Sequence, residues 1–527
     1  MTNARPNILF LITDQERHRG WMPPELLARL PNRKRLLDSG VEFSRHYTHS
    51  SPCSPSRATL VTGQYVPEHG VTDNVFVEPQ QPDLHAATPT IGHLLGKAGY
   101  RTPYVGKWHL SYGNPNMAAY GFADWTGADW AWTGLAGTGT HFDPIIAADA
   151  ATWLRKSAPE SSDPWCLTVG LVNPHDVHWY PADQPGYQEA HRTEIELVNS
   201  LIGAPIPGKP GVAPWEGGEY DALFDVPANF DDTLDGKPSV HKQWRFEELQ
   251  AFFGHLDHDV ADPWKRMLDY YFRLHELSDI QLGVVLDALD ATGAWNDTVV
   301  VWTADHGDMA GSHGLVNKGP FAYEEIMHVP LVIRAPGLAA AGTTVDALSS
   351  SVDIAPTICA LAGSEEVSSM SGVSLVPLLE NRAASVRDHV LFTQEQAWYQ
   401  SCVAHRFALR GVFDGRYKYV RYYGCGGGVN SIGLGVPWAK HMTVPADASF
   451  WDVEHELYDL DEDPGEMENL AARPSLRADV EDHFERLRAI EAETYVHERP
   501  SGPHGGSTRE AEMMAYSAAA GDDRLDG

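Results

Sequence analysis

Four stretches of the chain are apolar at nearly every position rather than at alternate ones. That pattern predicts strands buried on both faces of a parallel sheet, not strands with one wet face. Asn7-Ile-Leu-Phe-Leu-Ile12 runs into Thr13-Asp14, Trp165-Cys-Leu-Thr-Val-Gly-Leu-Val172 into Asn173-Pro174-His175, and Thr298-Val-Val-Val-Trp302 toward Asp305-His306-Gly307; Val329-Pro-Leu-Val-Ile333 precedes Pro336-Gly337. In the first three, polar residues follow the apolar run, at the strand end where open α/β sheets carry ligand sites. Helices are predicted over Thr88 to Ala98, near Asp143 to Lys156, and over Lys265 to Ala291, where Tyr270, Leu274, Leu277, Ile280 and Val284 recur at spacings of three and four. Strands alternating with helices predict an α/β fold: a large, mostly parallel sheet flanked by helices.

After about residue 380 the pattern shortens to β-like runs, Arg406 to Phe413 and Tyr417 to Tyr423, joined by a turn at Asp414-Gly415 and followed by a Glu- and Arg-rich helix near Ser475 to Glu493. The expected organisation is a large unit over residues 1–380, a smaller C-terminal antiparallel sheet plus helix over 381–500, and a flexible or oligomer-contacting tail over 501–527. Residues 180–262, rich in Pro, Gly and acid with scattered Trp and Phe, are expected to form an insertion over the cleft.

Composition narrows the functional classes. With 43% hydrophobic residues and 21% charged, the 527-residue chain is rich enough in apolar side chains to fold around a sizeable core. Its 39 Lys and Arg against 72 Asp and Glu give a net charge of −33, a field that repels phosphate backbones and acidic membranes, so neither nucleic acid nor a membrane is an expected partner. The five Cys, at 53, 166, 359, 402 and 425, form no CxxC pair and cannot all pair with one another. Together with an N-terminal apolar run limited to Ile8 to Ile12, this makes a reducing, cytoplasmic location the expectation.

The chemistry is concentrated around Cys53-Ser54-Pro55-Ser56-Arg57, followed by Leu60-Val61-Thr62-Gly63. A pattern of four fixed positions arises by chance about 0.003 times in a chain of this length. A buried thiol beside a turn is the bland alternative. Further landmarks follow in order: Asp14 after the first strand, Gly106-Lys107-Trp108-His109, Asn173-Pro174-His175, Thr303-Ala304-Asp305-His306-Gly307, Asn317-Lys318, Ser351 to Thr357, and Glu456 to Pro464 ending in Glu468-Asn469-Leu470. Over residues 5–475 this series resembles the sulfatase family of the alkaline-phosphatase-like superfamily, whose C-x-P-S-R cysteine is oxidised to formylglycine.

The resemblance implies a sulfuric ester hydrolase with two cofactors, a formylglycine derived from Cys53 and one divalent ion. Hydrolysing a sulfate ester requires a nucleophile, a cation for the sulfuryl oxygens and an acid for the departing alkoxide. Asp14, Asp305 and His306, with the Cys53-derived group, would hold the ion, and hard oxygen donors with one imidazole suit Ca²⁺, Mg²⁺ or Mn²⁺ better than structural zinc. By the resemblance, the hydrated formylglycine attacks sulfur while Arg57 and Lys107 hold its oxygen anionic. His109 then takes the proton that lets sulfate leave. His175 and Lys318 contact the sulfuryl oxygens and protonate or shield the leaving group. Asn74 resembles a sulfate-contacting residue, and reads equally well as a turn former.

Where many sulfatases have two consecutive aspartates and an Asp-Asn pair, this chain has Asp14-Gln15 and Asp305-His306. That pattern resembles the branch of choline sulfatases and phosphonate monoester hydrolases. A phosphonate monoester or phosphodiester hydrolase is therefore the enzymatic alternative, and an inactive binding homologue the non-enzymatic one. The expected partners are a small-molecule sulfate ester, a formylglycine-generating maturation enzyme and a second copy of the chain. Spacing does not encode the alcohol: acidic loops with Trp suit a cationic alcohol such as choline, and an aromatic one equally. His178 reads as an exposed loop histidine, Cys425-Gly-Gly-Gly428 as a flexible loop, and Trp125, Trp130 and Trp132 as either pocket wall or satellite core.

Overall fold

A computed structural model describes residues 5–75, 83–111, 116–126, 137–180, 223–251, 256–364, 367–395, 408–423 and 448–495. In chain order the strands are β1 (Asn7–Asp14), β2 (Val41–Phe43), β3 (His46–Tyr47), β4 (Pro103–Gly106), β5 (Ala123–Thr126), β6 (Cys166–Pro174) and β7 (Thr298–Ala304). They continue as β8 (Leu331–Arg334), β9 (Thr343–Val345), β10 (Ser349–Ser350), β11 (Val390–Gln394), β12 (Ala408–Phe413), β13 (Tyr417–Tyr423) and β14 (Glu454–Asp459).

Eight of them form one sheet in the order β5-β4-β6-β1-β7-β8-β2-β9. β1 lies at its centre, parallel to β6 on one side and β7 on the other, and only β8 runs against its neighbours. The continuous apolar runs have the cause expected of them. Ile8, Phe10 and Ile12 face a layer containing Ala58, Leu60 and Val61 of the Cys53–Thr62 helix and Ile354 and Ile358 of the Ile354–Leu361 helix. Leu9 and Leu11 face the opposite layer, with Ala147 and Ala150 of the Thr138–Lys156 helix and Leu282 and Leu286 of the Ala261–Ala291 helix. With both faces covered, β1 is apolar without a break from Ile8 to Ile12, and its polar residues lie at the two ends, Asn7 and Thr13-Asp14.

The helix expected near Asp143 begins five residues earlier, at Thr138. Its start is set from outside the segment: Asp176 accepts the backbone N–H groups of Gly139 (3.0 Å) and Thr140 (2.9 Å), an N-terminal cap that local sequence does not display. β11 to β14 form the separate antiparallel sheet in sequential order, covered by the Arg477–Thr494 helix through Val480, Phe484 and Leu487. The turn between β12 and β13 falls at Asp414-Gly415, where Gly415 takes φ +99°.

Of the expected insertion, residues 181–222 lie outside the described residues, as do Trp130, Trp132, Cys425 to Gly428, the 501–527 tail and the side chain of Trp125. The described part packs inward. Leu234, Val240 and Trp244 join Phe321, Tyr323 and the β12–β13 side chains, while Phe224, Phe230 and Leu256 pack against Trp264 and Tyr270.

Candidate active site

β1 and β7 deliver their C-terminal carboxylates side by side. Thr13 pairs with Ala304, and the Asp305 N–H donates to the Thr13 carbonyl at 3.2 Å, so Asp14 and Asp305 leave adjacent strands at the same level. Gln15 then takes a left-handed φ of +66°, which ends β1. On the far side of β1, the chain leaving β4 turns at Gly106, φ +93°; a side chain there would collide with the Gly170 carbonyl of β6. That close approach brings Lys107 to the same end of the sheet, its N–H bonded to Gly170 O at 2.8 Å.

Cys53 is the first residue of its helix, and every residue of that helix is buried. Two side chains fix this end: the Ser54 N–H donates to Asn74 Oδ1 (3.0 Å), and the Ser54 hydroxyl donates to the His109 carbonyl (2.6 Å). Asn74 thus serves as a backbone cap beside the nucleophile. Ser56 on the same helix donates to the Asp305 carbonyl (2.5 Å).

The sulfur lies at the focus of the remaining groups. Lys318 Nζ is 2.9 Å from Cys53 Sγ, His306 Nε2 3.3 Å, Asp14 Oδ1 3.7 Å and Lys107 Nζ 3.8 Å. Arg57 is a buried fork behind them: Nε donates to Asp305 Oδ2 (2.9 Å), Nη2 to Asp14 Oδ2 (2.9 Å) and Nη1 to the Lys107 carbonyl (2.8 Å). Lys107 Nζ reaches Asp14 Oδ2 at 2.7 Å.

These contacts govern ionisation. Burial alone would raise the Cys53 thiol, but Lys107, Lys318 and His306 outweigh it and hold its pKa well below the ordinary value. Burial and the Cys53 charge likewise oppose ionisation of Asp14, yet Lys107, His175 and Arg57 pull it well below the usual range. Asp305 goes the other way, raised to about 7 by burial and by the charge of Asp14. His175 is pressed down to about 3 by burial and by the charges of Lys318 and Lys107, so at neutral pH its imidazole is neutral.

The residues fit a divalent ion. One ligand atom each from Asp14, Cys53, Asp305 and His306 lies within 4.8 Å of the others, and all four residues are buried. His306 Nδ1 is 2.8 Å from the Gly307 carbonyl, which can only accept; Nδ1 therefore carries a proton, and Nε2 is the nitrogen facing the cluster, free to ligate an ion once the ring is neutral. Two carboxylates and an oriented imidazole suit a hard cation, and oxidation of the thiol would turn the fourth donor to oxygen.

All ten residues singled out from sequence take part in this centre or its immediate support; His175 interacts with Cys53 and Asp14, while its Nδ1 is buried without a hydrogen-bond partner among the described residues. His178, expected to be an exposed loop histidine, is half-buried and stacks on His175 with ring centroids 5.4 Å apart. A single helical turn, His175–Trp179, sets that spacing, because residues three apart share a face. Asp308 was not anticipated, nor was the contact made by Gln15, which sequence marked only as replacing a second aspartate after Asp14. The Gln15 side chain bridges Lys318 Nζ (2.7 Å) and Asp308 (2.6 Å), and Asp308 also caps the Ala310 N–H (2.7 Å). The only hint in sequence is an acidic residue three positions after Asp305.

Comparison with known proteins places this geometry in a family. Residues 6–364 match the model described as Sulfatase, and residues 311–427 match one described as N-sulphoglucosamine sulphohydrolase, C-terminal. The chain is 28% identical to an N-acetylglucosamine-6-O-sulfatase of Bacteroides thetaiotaomicron, over 88% of this chain and 82% of that one. It is 27% identical to a choline-sulfatase of Rhizobium meliloti, over 90% and 84%. Its fold is shared with a phosphonate monoester hydrolase from Silicibacter pomeroyi, at a TM-score of 0.67 and 23% identity over 93% and 96% of the two chains. With more than half of its length matched by the family model and its motif residues gathered around Cys53, the chain belongs to the sulfatase family and is a sulfuric ester hydrolase.

Proposed function

We propose that the chain cleaves the sulfate monoester of a small organic alcohol or phenol, using a formylglycine made from Cys53 and a divalent ion held by Asp14, Asp305 and His306. The observation that carries this reading is the convergence on one buried sulfur of a cation pair, Lys107 and Lys318, and of the donor cluster Asp14, Asp305 and His306. When bound, the ion supplies Lewis-acid polarisation, and the matured side chain supplies a hydroxyl nucleophile in place of the thiol.

The protein's own groups do the rest. Arg57 orients both carboxylates toward the nucleophile and favours their ionised forms. Lys107 and Lys318 place two positive charges 3.8 and 2.9 Å from the nucleophile's sulfur, where a sulfuryl group gathers negative charge as the ester bond breaks. His109 is the base that frees sulfate at the end of the cycle. Lys318, with neutral His175 beside it, holds the proton side of the leaving group. The same centre would serve a phosphonate monoester or phosphodiester, and the Asp14-Gln15 and Asp305-His306 pairs favour keeping that second reading. An inactive binding homologue is the weakest reading, since every motif group is present.

Protein produced with a maturation enzyme and assayed on matched sulfate, phosphonate and phosphate esters tests the proposal. Faster turnover of the sulfate ester, lost in Cys53→Ala, supports it; preference for phosphorus esters transfers the assignment to the second reading.

A further inference from the structure

Lys318 sits on an irregular segment between β7 and β8, and a loop has no ladder to satisfy its carbonyls. Three side chains from outside the large sheet do so here. The indole N–H of Trp244, on the Ser239–Ala251 helix, donates to Val316 O at 3.1 Å. The Gln394 amide, at the end of β11, donates to Phe321 O at 3.0 Å. The Lys418 ammonium, on β13, donates to Ala322 O at 3.0 Å and is paired with Glu324 (2.7 Å) and Glu466 (3.0 Å). All three donors are buried. Their acceptors flank Lys318 on both sides, at positions two before it and three and four after it.

Resting on the role given to Lys318 above, we propose that Trp244, Gln394 and Lys418 are positioning residues for Lys318, so that the 239–251 helix and the C-terminal sheet complete the active site through the backbone of residues 316–322. None of the three is among the groups gathered at Cys53. The ammonium is held at the sulfur from the inside by Gln15 (2.7 Å). From the outside it is held as well as its loop is held: the Met309 N–H pins the Asn317 carbonyl (3.0 Å) just before Lys318, and beyond it the three donors pin the carbonyls on either side. A shift of about 1 Å in a group that acts by placement costs up to about 100-fold in rate.

The test is kinetic, on matured, metal-loaded full-length protein with ethyl sulfate as probe, an alkyl ester whose basic leaving group needs Lys318. Trp244→Phe removes the indole donor while keeping a ring against Phe321, and Gln394→Met removes a donor at similar volume. Each is combined with Lys318→Ala. The expected result is a fall in kcat of about 10-fold or more with KM changed far less, and no further fall when either change is added to Lys318→Ala, because a misplaced ammonium cannot matter once it is absent. Gln394→Glu, which keeps the shape but not the donor, should not restore kcat. Equal losses with and without Lys318, or losses in stability with kcat intact, overturn the proposal while leaving the assigned function standing. If Lys318→Ala itself leaves kcat unchanged, the role of Lys318 and this inference fall together, whereas turnover that still depends on Cys53 would keep the rest of the reading.

Discussion

Arg57→Lys keeps a positive charge beside the two carboxylates and removes the fork that holds them. Arginine at 57 makes three bonds of 2.8–2.9 Å, to Asp14, Asp305 and the Lys107 carbonyl, on three different nitrogens. A single ammonium on a shorter stem lacks the planar fork that spans Asp14, Asp305 and the Lys107 carbonyl at once. Two charge-assisted bonds are lost, each of about 1.5–3 kcal/mol, so the site loses about 3–6 kcal/mol of preorganisation. The consequence falls on Asp305, whose carboxyl is already raised to about 7 by burial and by Asp14, against the pull of His306 and Arg57. Only the ionised carboxylate and the neutral imidazole ligate a cation, so in the parent metal affinity should climb with pH while Asp305 and His306 lose their protons and level off above that range. Weakening the hold of Arg57 raises Asp305 further, and the levelling-off should move to higher pH in Arg57→Lys. Calorimetric titration of metal-free protein with Ca²⁺ or Mn²⁺ between pH 5.5 and 9 measures both curves. Coincident curves would refute the assignment of Arg57, alongside His306, as a group that favours ionised Asp305.

Other outcomes follow from the same geometry. Chelation should abolish turnover and re-addition of a divalent ion restore it, while Asp305→Asn should weaken metal binding in titration with little loss of thermal stability at saturating metal. Lys318→Ala should slow an alkyl sulfate by about 10²–10⁴-fold more than nitrophenyl sulfate, whose leaving group scarcely needs a proton; equal losses on both would remove Lys318 from the leaving-group side. His109→Ala should slow all esters alike and leave quenched protein carrying the mass of a sulfuryl group, detectable on the Cys53 peptide. Asp176→Ala should lower stability by about 1 kcal/mol, through loss of the cap on the Thr138–Lys156 helix, and should lower kcat because His175 is its neighbour; denaturation and turnover on one preparation check both.

What could be read in sequence, and what could not, divides along physical lines. β1, β6 and β7 were legible because burial on both faces forces an unbroken apolar run, and the carboxylates were legible because such a run ends where the sheet opens to the cleft. The antiparallel direction of β8 was not, since burial is the same for either direction of a strand. The helix start at Thr138 was hidden because its cap, Asp176, lies after the next strand, and Pro144 near its beginning points a local reading downstream. The bridge Asp308–Gln15–Lys318 was hidden for the same reason: its members are separated by about 300 positions and meet only because β1 and β7 are neighbours. His178 was set aside as a loop residue because sequence showed no periodicity there, while one helical turn suffices to stack it on His175.

The measurement that bears most directly on the central claim joins chemistry to mass on one sample. Protein expressed with and without a formylglycine-generating enzyme is analysed for the mass of the Cys53 peptide and for kcat/KM on a sulfate monoester. The account predicts that activity rises in proportion to the fraction of peptide about 18 Da lighter, the mass change when an aldehyde replaces the thiol. Full activity in protein whose Cys53 is entirely unmodified would contradict it.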